Sequence, residues 1–517
     1  MMGPYNKYYY RRYLFFILLL TFYRPLFFGY ADEIAKQEFK GDRHMDVGVI
    51  RLSLDDASRI ALENDFEIQI AKYDAMIAHT NRKEAIAIYD ALLTGSIGYR
   101  DNQSKQTSVL MGTKTVDNNY NVGVSKKFPS GTIVNIDLSN NRHWTDSSSV
   151  SSALTHEARA GIEVNQPLGR NFLGIQDRGR IDITNIDVEN IGYLSLNRIE
   201  TRLATVQKIY WKLVLEYEQV KIEEGMVAQA KRLYELHQEK LKDGLVEMPE
   251  AIASEANYMK RKDELVLLKN RLTSTANILK LYLNIDENKK IEVTDNLKII
   301  PFFDNLPKIL KVAFSHRRDY LYARNVINKN RIVLAMKKNS AWPEINLKAS
   351  FEKNGIGDHF KQAWVNICDE DNSNFYVGLS FEFPLGNNRA KSQIEAARLR
   401  VAKAILNMKY IERTIAITVA DQYRRCNIYR RVAVSSDKIA ELCARKLEEE
   451  EKRFSQGRSN TDTLIRFQEE LLQARFSAAE AKYRYHVAMV DLELKQGILL
   501  GKYHWGGLFP LKKGGYR

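Results

Sequence analysis

The sequence predicts a mixed α and β fold: long antiparallel coiled-coil helices joined to short strands of barrel type. These elements are laid out as two tandem copies of one helix–strand–strand–helix unit. Three observations predict it. Apolar residues recur at heptad spacing along stretches almost free of helix breakers, in a chain of 517 residues with only 10 prolines. Shorter stretches alternate apolar and polar residues. The order of these elements, and the breaks between them, occurs twice.

Residues 1–31 read as a secretory signal peptide. Lys7, Arg11 and Arg12 give it a positive start, and the run from Tyr13 to Leu20 is apolar. Small residues at Gly29 and Ala31 place the cut before Asp32. The competing reading is an uncleaved anchor, but Arg24 and Pro25 interrupt the apolar run and leave it short for a span. The first repeat is expected at 50–285, with a polar insertion at 101–157. A linker follows at 286–305, the second repeat at 306–500, and a basic tail at 501–517.

The helices are of coiled-coil type. Leu464, Phe467, Leu471, Ala474, Ala478, Ala481, Tyr485, Ala488 and Leu492 step alternately by three and four. That is a 3.5-residue period, which predicts left-handed supercoiling, and its Ala-rich middle admits a close partner. Leu203, Val206, Tyr210, Leu213, Tyr217, Val220 and Val227 form a second seam. Leu265, Leu268, Leu272 and Leu279 form a third. The stretches from about 180 to 243 and about 387 to 456 read as single helices, roughly 95 Å long at the usual rise. An ordinary coiled coil would explain the helices alone equally well.

The strands alternate over about nine residues, the length of a tilted transmembrane strand. Ile345, Leu347, Ala349 and Phe351 face one side, and Phe375, Val377, Leu379, Phe381 and Phe383 repeat the pattern. Leu93, Ile97 and Tyr99 form a weaker version, as do Ala160, Ile162 and Val164. The insertion holds a further hairpin, Tyr120–Phe128 and Thr132–Leu138, turning at Pro129-Ser130-Gly131. A half-buried soluble sheet would alternate in the same way.

The breaks repeat as well. Asn165-Gln166-Pro167-Leu168-Gly169 echoes Glu382-Phe383-Pro384-Leu385-Gly386, and the helix break at Gly244 echoes that at Gly457. With two strands per copy, neither copy closes a barrel of its own.

The net charge of +14 comes from Lys and Arg interleaved with Glu along helices, as in 446–453, which reads as a solvated surface rather than a nucleic-acid face. Cys368, Cys426 and Cys443 are odd in number. The last two lie 17 residues apart in one helix, about 25 Å by the helical rise, so no disulfide is expected. No metal, cofactor or catalytic motif stands out, and no enzyme is expected.

Residues at these junctions resemble the outer-membrane efflux protein (TolC) family. The run from Leu52 to Asn64, with Ser53 capping a helix and Asp56 three residues on, looks like the family's first-helix signature. Val377–Gly386, followed by Arg389-Ala390 and Ala396-Ala397, looks like its strand-to-helix junction. Gly244 with Leu245-Val246, and Gly457 followed by Leu464, look like its two helix turns. The resemblance covers about residues 50–500. It implies a homotrimer whose four strands per chain close a 12-stranded transmembrane β-barrel, continued across the periplasm by a trimeric α-barrel. It implies outer-membrane lipid, a periplasmic adaptor (membrane fusion) protein and an inner-membrane transporter as partners. The implied role is the passive exit duct of a tripartite efflux or type I secretion system. Carried over, Gly244, Leu245, Val246, Gly457, Arg458 and Ser459 fall on adaptor-contacting turns. Glu250, Phe454, Asp462 and Arg466 fall near the periplasmic aperture. The family's pair of acids on the last helix is replaced by Thr463 and Arg466, with Asp462 one residue early. The competing reading is a periplasmic adaptor or structural coiled coil without a membrane barrel. An adaptor would carry one helical hairpin, and this chain carries two.

Overall fold

Heptad seams without helix breakers leave little to stop a helix, and two helices run unbroken for 68 residues each. The computed structural model describes residues 48–105, 112–301 and 305–503. The expected signal peptide, 1–31, lies outside the described residues, as do 106–111 of the insertion and 504–517 of the basic tail. The chain divides into two units, residues 1–50 with 288–290, and residues 51–287 with 291–517. In the first, the Lys290 N–H donates to the Gly48 carbonyl at 3.2 Å. The second holds every long element.

In chain order the elements are β1 (Val49–Leu52), α1 (Leu54–Asn64), α2 (Phe66–Ile86), β2 (Leu92–Asn102), β3 (Thr115–Lys127), β4 (Ile133–Thr145) and β5 (Leu154–Pro167). Next come α3 (Ile175–Lys242), α4 (Met248–Leu283), β6 (Lys290–Val293), α5 (Leu306–His316), α6 (Arg318–Ser340) and β7 (Glu344–Gly357). The last are α7 (Phe360–Asp369), β8 (Ser373–Glu382), α8 (Asn388–Ser455) and α9 (Thr461–Gln496). Ser53 and Asp56 form the capping box read from the sequence: the Asp56 N–H donates to Ser53 Oγ at 3.2 Å, and the Ser53 N–H to Asp56 Oδ2 at 3.1 Å.

The repetition is metrical. α3 and α8 have 68 residues each, α4 and α9 have 36 each, and both pairs are offset by 213 (388 − 175 and 461 − 248). Before the strands the offset is 252 (306 − 54, between α1 and α5). The first copy is therefore longer by 39 residues (252 − 213) within its strand region.

Those residues build a hairpin. The sheet has six antiparallel strands in the order β2-β3-β4-β5-β7-β8. This corrects the expected four strands per chain, and the 12-strand total built on it does not follow. The reason is physical. β3 and β4 are 13 residues each and alternate like their neighbours, so they pair along their length with β2 and β5 instead of forming a loop. Helix α7, which the sequence reading passed over, lies on β5 and β7 with Ala363 and Ile367 against Ala158. A Cβ at Gly355 would collide with the Ala363 carbonyl, so glycine is what lets α7 sit this close.

α3 packs against α2 and α6 along its first part, where Arg198 pairs with Asp74 and Lys329 with Asp187. Farther along it packs against α4 and α9, where Tyr234 stacks on Tyr258 and Lys208 pairs with Asp491. α8 lies beyond α6 and α9. Four helices thus stand side by side, α2 or α4, then α3, then α6 or α9, then α8. The Ala-rich seam of α9 gives the close approach expected of it. The Ala488 carbonyl accepts from Gln422 Nε2 at 2.9 Å and from Cys426 Sγ at 3.2 Å, both on α8. Burial pushes the Cys426 thiol up to about 12, which leaves it inert.

The described residues of the expected linker, 286–301 and 305, include parts built into this packing. β6 pairs with β1. Asp295 accepts from the Leu54 N–H and from Tyr210 Oη, both at 2.7 Å, joining α1 to α3. His486 of α9 stacks on Trp211 of α3 with centroids 3.8 Å apart, and burial lowers its pKa to about 4. A histidine held neutral in the fold, and titrating near 6.5 once unfolded, contributes stability that is full above pH 6.5 and lost as pH falls toward 4. Lowering pH from 7 to 5 should cost about 2 kcal/mol of unfolding free energy through this residue. Denaturant titrations at the two pH values should show a smaller difference in His486→Phe.

Arg261 of α4 is buried between Glu223 of α3, at 3.6 Å, and Glu469 of α9. Burial raises the Glu223 pKa against the opposing pull of Arg261. Arg261→Met should cost about 3–5 kcal/mol in denaturant unfolding, because it strands a buried carboxylate. Adding Glu223→Gln should recover much of that loss.

Candidate functional site

Two features of the described residues demand partners: the sheet and the outer helices. In an antiparallel sheet, residues directly opposite one another share a face. The register aligns Leu93, Val124, Ile136, Ile162, Phe351 and Phe375 as one apolar row across all six strands. All six side chains are exposed, with Leu93 and Phe375 each at 71%. The next row, on the other face, is Thr94, Gly123, Asp137, Gly161, Glu352 and Asn374. One face thus carries a bare apolar row, with α7 packed on that same face beyond the row at Ala158 and Gly355, and the other face is polar. Among the described residues neither β2 nor β8 pairs on its outer side, so both are open edges.

The outer helices carry bare seams as well. On α8, Leu399, Leu406, Tyr410, Ile417, Ile428 and Val432 are exposed at steps of 7, 4, 7, 11 and 4. On α2, at the opposite side of the helical layer, Phe66, Ile70, Tyr73 and Ile77 are exposed at steps of 4, 3 and 4. These are coiled-coil seams without a partner helix among the described residues.

At the far end of the helices lie the two glycine turns, and they are built alike. The Leu245 N–H donates to the Lys240 carbonyl at 2.8 Å and Gly244 to Leu241 at 3.1 Å. The Arg458 N–H donates to Arg453 at 2.9 Å and Gly457 to Phe454 at 3.0 Å. Both are Schellman closures. Gly244 has φ +68° and Gly457 φ +74°, which glycine adopts without penalty. A Cβ at either would meet nothing within 4 Å, so conformation and not crowding requires glycine there. Leu245 is 73% exposed, Arg458 is exposed, and Val246 is half-buried. Ser459 is tied back to α8, its Oγ donating to Glu450 Oε1 at 2.5 Å.

The four residues expected near the aperture fall into two groups. Glu250, in the first turn of α4, and Phe454, in the last turn of α8, both lie beside His237. His237 is buried, with Nε2 3.4 Å from Thr461 Oγ1 and its ring centroid 6.2 Å from that of Phe454. Burial lowers its pKa. Asp462 and Arg466 instead line a groove of ≈ 1020 Å³ with Lys260, Cys443 and Glu469. Sequence reasoning missed His237 because nothing in a lone histidine of a charged helix marks it as buried. Among the described residues no group of three or more His, Cys, Asp or Glu could hold a metal ion. Nor is any described helix long and apolar enough to cross a membrane.

No protein-family model matches the sequence, and no curated protein does. Solved structures do. The outer-membrane protein VceC of Vibrio cholerae superposes with a TM-score of 0.62 at 13% identity, covering 86% of this chain and 96% of that one. CusC, described in terms of folding and transmembrane channel formation, gives 0.64 at 13% identity, covering 88% and 95%. The open state of the MtrE outer-membrane channel of Neisseria gonorrhoeae gives 0.63 at 14% identity, covering 86% and 88%. The chain has the fold of these outer-membrane channels, as its junction residues led one to expect.

Proposed function

We propose that the chain is one subunit of a passive exit duct in the bacterial outer membrane, extending into the periplasm and serving a tripartite efflux or type I secretion system. The observation that carries this reading is the apolar row from Leu93 to Phe375, exposed on one face of a sheet whose other face is polar. Lipid outside and an aqueous bore inside match that arrangement. The open edges β2 and β8 would be unpaired in lipid, so the sheet closes only with further copies.

Three copies form the duct. The α8 seam of one copy meets the α2 side of the next, and β8 meets β2. Transport energy is supplied elsewhere, by an inner-membrane transporter reached through a periplasmic adaptor. The two glycine turns face that adaptor, and the exposed Leu245 and Arg458 lead the contact. Glu250, Phe454, Asp462 and Arg466 stand around the periplasmic aperture. An adaptor-type protein fits less well, since it would not leave an apolar row bare across six strands.

Gly244→Leu and Gly457→Leu add side chains into open space, at a local cost of about 1–2 kcal/mol for the left-handed backbone. In cells crosslinked before lysis, the expected result is loss of the co-purifying adaptor while the three-copy assembly persists. Undiminished adaptor recovery from both variants would count against the turn assignment.

The strand ends remote from the helices include Gly357, and α7 beyond it carries the exposed Cys368. A membrane-impermeant maleimide applied to intact cells should label Cys368 and spare the buried Cys426. Labelling of Cys368 only after the outer membrane is breached would invert the topology.

A further inference from the structure

The duct reading leaves the width of its outer end undetermined, and the six-stranded sheet bears directly on it. Tilted barrel strands each occupy about 6 Å of circumference, so six span roughly 37 Å. Four helices side by side span about 32–40 Å at usual interaxial distances. In this chain the same subunit therefore covers nearly equal arcs in its sheet and in its helical layer. At the same tilt four strands would span only about 25 Å.

The hairpin β3–β4 makes the difference, and it belongs to the wall. Its register with β2 and β5 is continuous, and it places Val124 and Ile136 in the apolar row between Leu93 and Ile162. It also places Gly123 and Asp137 in the polar row between Thr94 and Gly161. A hairpin folded aside as a cap or plug would not continue both faces.

Resting on the duct reading with three copies, we infer that the outer-membrane barrel has eighteen strands and a bore as wide as the helical tube, with no narrowing where sheet meets helices. Eighteen strands give a backbone diameter of about 36 Å, against about 24 Å for twelve. After side chains, an opening of about 25 Å remains, against about 13 Å. The wider opening passes solutes as thick as a pair of packed helices, while the narrower one admits about a single helix. The outer end is thus built for bulky cargo and imposes no sieve at the scale of a drug-sized molecule.

The faces also define a clean deletion. β2 and β5 run antiparallel, and their ends Asn102 and Leu154 lie at the same end of the sheet. Replacing residues 103–152 by an Asn-Gly turn sets Asn102 opposite Ala153, which brings Leu93 opposite Ile162 and keeps both faces intact.

The test images the detergent-purified full chain and this deletion variant by electron cryomicroscopy. It also measures exclusion of polyethylene glycols added on the extracellular side in planar bilayers. The expected result is three copies in both proteins, with a barrel of about 36 Å in the full chain and about 24 Å in the variant. The polymer cutoff should fall from about 25 Å to about 13 Å. If the variant fails to fold, the image of the full chain decides alone. A three-copy full-chain assembly with a barrel near 24 Å overturns the width inference and leaves the duct reading standing. A chain that forms no closed assembly overturns both.

Discussion

The rest of the structure depends on one constraint: a sheet with a bare apolar row and two open edges. Each unpaired N–H or C=O on β2 and β8 is tolerable in water and costly in lipid. The apolar row from Leu93 to Phe375 belongs in lipid. Both demands are met only when the sheet closes on copies of itself. The helical layer carries the same demand in another form, with bare seams on α8 and α2. Sheet and helices thus ask for one solution, and the proposed duct supplies it by oligomerisation.

The internal repeat shows how such a subunit is assembled. A constant offset of 213 across four long helices leaves both helical hairpins the same length, so the two glycine turns terminate matching rods. The two copies differ in their strand regions, where the first carries the hairpin β3–β4 and the second carries α7. An insertion of two strands is the smallest that preserves antiparallel order and keeps the chain on the correct side of the sheet. One extra strand would have delivered α3 to the wrong end.

Much of this was legible in the sequence, for reasons that differ by element. The long helices were legible because heptad spacing and the scarcity of proline report directly on helix formation. The glycine turns were legible because a positive φ selects residue type. The hairpin β3–β4 was seen as strands but counted as an insertion. Alternation says that a segment is a strand, not which neighbours it pairs with. α7 was missed because ten residues give too short a period to separate a helix from a loop. His237, the Arg261 clamp and the seating of the linker by Asp295 depend on contacts between residues far apart in the chain. No local pattern encodes them. The split of the four residues expected near the aperture into two groups is of the same kind.

The central claim is that the chain is stable only as a closed assembly with an apolar outer surface. The most direct measurement is the mass of the purified chain by light scattering, with and without detergent. The account predicts a three-copy particle from outer-membrane fractions that persists in detergent and aggregates when detergent is withdrawn. A monodisperse, folded monomer in plain aqueous buffer would contradict it.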